Sequence, residues 1–135
     1  KEIIDTLTPG SEGSTFGGYP LASVVGVYAI KTLVDLKLAE NARVRGEQLM
    51  NHFNDIKSEF PDKIKETRGK GLLTAFEMFN EKHLDGHRVS VELLNHGVYA
   101  KETHRSTVRI APALTIESWQ IDNMAEKLRE VIKSL

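Results

Sequence analysis

The stretch from Pro20 to Val34 constrains this chain more than any other. Leu21, Val24, Val25, Val27, Tyr28, Ile30 and Leu33 put apolar side chains around the whole circumference of a helix. A helix that is apolar on every side is buried on several sides. Ala22, Ser23, Gly26 and Ala29 are small enough to let neighbouring backbones come close. A helix of this kind is awkward in a lone domain of 135 residues and asks for cover from another domain or subunit. Its apolar run is too short to cross a bilayer, which takes about 20 residues.

The rest of the chain supplies punctuation and periodicity. The run Gly10-Ser11-Glu12-Gly13-Ser14-Thr15-Phe16-Gly17-Gly18 is loop chemistry, and Pro20 after it suits the first position of a helix, where a missing N–H costs nothing. Leu38, Ala42, Leu49, Phe53, Ile56 and Phe60 keep the spacing of one helical face over 38–60, opposite Glu40, Arg43, Glu47, Asn51, Asp55 and Lys57; Pro61 stops that helix. Strand-like pieces at 63–67 and 72–79 bracket Arg68-Gly69-Lys70-Gly71, whose cations offer an anion site but which reads first as a tight turn with its charges in water. Phe76 and Met78 alternate with Ala75 and Glu77 as core residues of a strand do. A helix over 87–96 is closed by Gly97, strands follow at 98–101 and 107–111, and a last amphipathic helix runs from about Thr115 to Leu135 on Ile121, Met124, Leu128, Val131 and Leu135. The expected class is α/β, with helices packed on a small, mainly antiparallel sheet.

Composition removes whole classes of function. Lys plus Arg is 18 against 19 Asp plus Glu, a formal net charge of -1, which takes away the electrostatic case for a nucleic-acid module or a polybasic membrane surface. Cysteine is absent, so disulfides, thiolate metal sites and a thiol nucleophile are excluded. A cytoplasmic protein is the expectation. The chain opens on Lys1 rather than Met, the expectation being a piece of something longer.

Three places offer chemistry. Ser14 and Thr15 present hydroxyls beside glycine N–H groups and a helix start, a donor set for an anion, although an ordinary turn has the same composition. Arg109 lies between Val108 and Ile110, so alternation turns it to the opposite face; it is either a solvated surface charge or a guanidinium fork for a carboxylate. His83 and His87 have the i, i+4 spacing of some metal pairs, but Asp85-Gly86 between them reads as a turn and no third ligand is evident, so no metal site is expected. His52 and His104 show no Ser or Asp arrangement for nucleophilic catalysis, and Trp119 reads as a packing anchor.

Several segments together carry a resemblance. Gly13-Ser14-Thr15-Phe16-Gly17-Gly18 followed by Pro20-Leu21-Ala22, then Arg68-Gly69-Lys70-Gly71-Leu72, then Gly97-Val98-Tyr99-Ala100-Lys101-Glu102-Thr103-His104 and Val108-Arg109-Ile110-Ala111-Pro112 resemble class-III pyridoxal-phosphate aminotransferases, most nearly the ornithine-using branch. The sequence departs from that branch at Glu12, Tyr19, Arg105 and Ala113, where His, Asn, Gly and Pro are usual. The resemblance implies the C-terminal part of a fold-type-I transferase. Residues 1–37 would be a cofactor-phosphate loop and a buried interface helix of the large domain, and residues 38–135 the small domain. It further implies that Ser14 and Thr15 bind the phosphate of pyridoxal 5'-phosphate across a homodimer, and that Arg109 binds a substrate carboxylate. The implied reaction moves the δ-amino group of ornithine to 2-oxoglutarate. The lysine that carries the cofactor lies upstream in the family, so no catalytic residue is expected in this chain and the chain alone is expected to be inactive. Two other readings stay open: another class-III ω-aminotransferase, such as an acetylornithine-like one, and a non-catalytic dimerisation module.

Overall fold

The computed structural model describes residues 4–8, 10–79 and 85–135, and the chain divides into two units, Lys1–Leu36 and Lys37–Leu135. The first unit holds a short 3-10 turn at Ile4–Thr6, the glycine-rich loop and helix α1, Pro20–Asp35. Pro20 opens α1, as its fixed φ favours. No residue of α1 is buried: Val27, Tyr28 and Ile30 are each about two-thirds exposed, at 66%, 67% and 65%. The expected burial on several sides is therefore not met within this unit, because one helix and a loop have no second apolar layer to offer it.

The second unit runs α2 (Leu38–Glu59), β1 (Ile64–Lys70), β2 (Leu73–Met78), α3 (Gly86–Asn95), β3 (Lys101–Thr103), β4 (Thr107–Ile110) and α4 (Ser118–Ser134). The four strands form one antiparallel sheet in the order β1-β2-β4-β3. Period-two alternation gives the sheet one apolar face. Thr74, Phe76 and Met78 of β2 and Val108 and Ile110 of β4 are buried, while Leu73 and Arg109 are exposed. That face meets Leu49, Phe53 and Ile56 of α2, Val89 and Leu93 of α3, and Ile121, Leu128, Val131 and Ile132 of α4 in one core. The Phe53 and Phe76 rings meet edge to face, 5.5 Å between centroids. The one buried hydroxyl of β2, on Thr74, donates to the Ile110 carbonyl at 2.7 Å.

Three boundaries differ from the sequence reading, each for a reason outside the local pattern. β1 continues through Arg68, Gly69 and Lys70, because Lys70 pairs with Leu73, and the turn is only Gly71-Leu72. β3 starts at Lys101 rather than Val98. Gly97, at φ 78, lets its own N–H reach the Leu94 carbonyl and the Val98 N–H reach Leu93, so Val98 closes α3 instead of opening a strand. α4 starts at Ser118, where Glu117 and Gln120 form a reciprocal capping box. The loop before it is held on α2 by Asn41, whose side-chain N–H donates to the Leu114 and Ile116 carbonyls at 2.7 and 3.0 Å.

Candidate functional site

Ser14 and Thr15 lie in the first unit, on a chain reversal in which Gly17 N–H donates to the Ser14 carbonyl at 3.2 Å and Tyr19 N–H to the Phe16 carbonyl at 3.1 Å. Both residues are exposed, and among the described residues neither hydroxyl has a hydrogen-bond partner. The reversal runs straight into the N-terminus of α1. Tyr19 is the N-cap residue, extended at φ -60 and ψ 122, and its side chain caps nothing. The first helical bond is from Ser23 N–H to the Tyr19 carbonyl at 2.9 Å, which leaves the N–H groups of Leu21 and Ala22 without a helical partner. Two free hydroxyls and two free amides at the positive end of a 16-residue helix suit a phosphate, whose several oxygens need donors rather than a single counter-charge.

Arg109 lies in the second unit, on β4, with Val108 and Ile110 buried at 0% and 1% on the core side. Register places it between Ala75 of β2 and Lys101 of β3. The guanidinium is exposed and has no ion-pair or hydrogen-bond partner among the described residues. Other arginines are taken up internally: Arg43 by Glu40 and Glu47, Arg68 by Glu77, Arg129 by Glu59. An acid on the same sheet face, Glu77, accepts from Lys65 at 2.7 Å as well as from Arg68, and Lys65 and then Arg68 hold its carboxyl below the usual glutamate range. Arg109 is thus a fork on a stiff strand with nothing to grip among the described residues. Exposed and unpartnered, it fits both the solvated reading and the carboxylate reading.

Other candidates sort themselves by contact. His83 lies outside the described residues. His87 Nδ1 sits 3.2 Å from Glu102, and among the described residues no group of three or more His, Cys, Asp or Glu could hold a metal ion. His52 does have an acid partner, Asp122, at 2.8 Å. Gln48 donates to the same oxygen at 2.7 Å, and hydrogen bonds from His52 and then Gln48 hold the Asp122 carboxyl below its ordinary range. This cluster staples α2 to α4. Trp119 is not a packing anchor: it is 63% exposed and its indole N–H donates to Glu117 at 2.7 Å. No helix among the described residues is long and apolar enough to cross a membrane.

A helical layer on a four-stranded antiparallel sheet, with a phosphate-suited loop before a separate helix, is the architecture of the C-terminal part of fold-type-I pyridoxal-phosphate-dependent transferases. Residues 1–132 match the class-III aminotransferases, and the chain belongs to that family. It is similar to the mitochondrial ornithine aminotransferase of Arabidopsis thaliana, 40% identical over 98% of this chain and 28% of that protein. It is likewise similar to the ornithine aminotransferase of Staphylococcus carnosus, 41% identical over 97% of this chain and 31% of that protein. The ornithine aminotransferase of Toxoplasma gondii superposes with a TM-score of 0.87 at 33% identity, over 99% of this chain and 32% of that one. The chain therefore spans under a third of the length of these relatives.

Proposed function

We propose that these residues are part of a pyridoxal-phosphate enzyme that transfers the δ-amino group of ornithine to 2-oxoglutarate. Residues 1–37 belong to its large domain and 38–135 form its small domain. Two curated relatives at 40% and 41% identity are named ornithine aminotransferases, which supports the donor. The observation that carries the chemistry is Arg109, an unpartnered guanidinium on a strand whose neighbours are locked in the core. Bound pyridoxal phosphate supplies the electron sink for the bond-breaking at the amino-bearing carbon. Ser14 and Thr15 donate to its phosphate, together with the free amides at the start of α1. Arg109 takes a substrate carboxylate bidentately and fixes where the reacting amine or carbonyl lies, a positioning role rather than a proton-transfer one. α1, apolar on every side, is covered by the large domain and by the partner subunit of a homodimer. Catalysis needs residues beyond these 135, and the isolated chain is expected to turn over nothing.

The test is Arg109→Lys in the full-length enzyme. A lysine keeps the charge and loses the fork. Losing about 3 kcal/mol of charged contact lowers kcat/KM by roughly 100-fold, with cofactor content and thermal midpoint unchanged. Intact kcat/KM, or a loss that tracks unfolding, overturns the carboxylate role. A donor panel in which ornithine is not preferred overturns the substrate assignment.

A further inference from the structure

β4 is only 4 residues long, and Arg109 is the last but one of them. The chain leaves the strand at Ile110 and runs through residues 111–117 before α4 begins. Thr74 fixes the near end of that run. It lies opposite Ile110 on β2, is buried, and donates its hydroxyl to the Ile110 carbonyl at 2.7 Å. Asn41 fixes the far end, donating to the Leu114 carbonyl at 2.7 Å and to the Ile116 carbonyl at 3.0 Å across more than 70 residues of sequence. A primary amide has two N–H groups on one nitrogen, and here each meets a carbonyl. Apolar packing does less to hold the run: within this unit Pro112 and Ile116 are half-buried, while Ala111, Ala113, Leu114 and Thr115 are exposed. The path from the Asn41 clamp back to Arg109 is short and stiff. Ile116 N–H closes a turn on the Ala113 carbonyl at 3.0 Å, Pro112 has a fixed φ, and Ala111 joins it to Ile110. Asn41 is itself held in the first turns of α2, where its backbone N–H donates to the Lys37 carbonyl at 3.0 Å beside buried Leu38.

We infer that Asn41 is a positioning residue for the reaction: by clamping the loop after β4 to α2 it sets where the Arg109 guanidinium stands. The inference rests on the reading of Arg109 above, and Asn41 acts through that arginine rather than on the substrate. Bidentate capture of a carboxylate tolerates little error in the direction of the fork. Pairing with β2 and β3 sets the face on which Arg109 stands; the clamp sets the tilt of the strand end that carries it. Asn41→Asp keeps the size of the side chain and replaces the double donor by an acceptor-only carboxylate facing two carbonyls, so the loop is pushed off α2.

The experiment is a double-mutant cycle in the full-length enzyme. It measures kcat/KM for 2-oxoglutarate, cofactor content and thermal midpoint in the parent, Asn41→Asp, Arg109→Lys and the double variant. Arg129→Gln, which breaks a different contact between α4 and α2, the one to Glu59, is the control. Asn41→Asp is expected to lower kcat/KM about 10-fold with cofactor content unchanged, less than the roughly 100-fold that a 1 Å misplacement can cost. In the Arg109→Lys background the same substitution is expected to cost under about 2-fold more, because the group it positions is already gone. Arg129→Gln stays at the parent kcat/KM. If Asn41→Asp lowers the thermal midpoint, Asn41→Ser, which shortens the side chain without adding a charge, is measured in its place. A parent-like kcat/KM in the Asn41 variant, a loss that multiplies in full with that of Arg109→Lys, or an equal loss in Arg129→Gln overturns the role of Asn41, while a damaged Arg109→Lys leaves the carboxylate reading standing. An undamaged Arg109→Lys overturns both readings together.

Discussion

Gly46 sits in the middle of α2, and an added Cβ there would lie 2.2 Å from the Gly71 carbonyl oxygen, 2.3 Å from its carbonyl carbon and 2.6 Å from its Cα. Ordinary contact for a Cβ begins near 3.4 Å, so Gly46→Ala forces α2 and the β1–β2 hairpin apart by about 1 Å. All three atoms are backbone, and none can rotate away. Helix propensity acts in the opposite direction and favours Ala over Gly by about 1 kcal/mol. Overpacking of a tight contact typically costs about 1–3 kcal/mol. The upper end applies here, because separating α2 from the hairpin also loosens Leu49 and Phe53 against the sheet. The net expectation is a loss of about 2 kcal/mol, or roughly 8 °C in thermal midpoint for a chain of this size. Thermal and urea unfolding of the chain followed by circular dichroism measure it. A variant as stable as the parent, or about 1 kcal/mol more stable, would show that propensity governs this position and that the helix–hairpin contact does not constrain the fold.

Three further outcomes follow from the same geometry. Arg105 holds φ 65 in the β3–β4 turn; left-handed backbone costs a non-glycine about 1–2 kcal/mol, and glycine returns roughly 0.5–1 kcal/mol of that through the unfolded chain. Arg105→Gly is thus expected to stabilise by about 0.5–1 kcal/mol while Arg105→Ala does not, and equal midpoints for the two variants would refute the strain. Asp122 and Glu77 titrate below their ordinary ranges in the folded chain, held by His52 with Gln48 and by Lys65 with Arg68. Their contribution is therefore present above the unfolded carboxylate values near pH 4 and is lost as pH falls through the lower folded values. Urea midpoints between about pH 5 and pH 2 should fall less steeply in an Asp122→Asn, Glu77→Gln double variant than in the parent, and parallel acid limbs would count against these pairs. In the full-length enzyme, Thr15→Ala is expected to weaken cofactor retention on dialysis by about 1–3 kcal/mol, one phosphate hydrogen bond; unchanged retention would return the loop to being an ordinary turn.

Much of the fold was legible because it is written in short-range pattern. Pro20 and the apolar run after it mark α1, the spacing of Leu49, Phe53 and Ile56 marks the buried face of α2, and the alternation at Phe76, Met78, Val108 and Ile110 marks the core side of the sheet. These signals need only a residue and its neighbours within a turn or two. The outward turn of Arg109 was legible for the same reason, and so was the fit of Gly97 to a helix end.

Packing decided whatever depends on a partner far along the chain. His52 finds Asp122 across 70 residues, and Gly46 must be bare because Gly71 arrives against it from the hairpin. Val98 is drawn from β3 into closing α3, and Trp119 is left in solvent because the inner face of α4 is already filled by Ile121, Ala125 and Leu128. The charge of Arg109 was visible in the sequence, but its freedom was not. That freedom exists because strand register hands Glu77 to Lys65 and Arg68 and turns Glu102 toward His87. Side-chain identity fixes what a group can do; which groups remain free to do it is set by pairings between strands that local pattern does not encode.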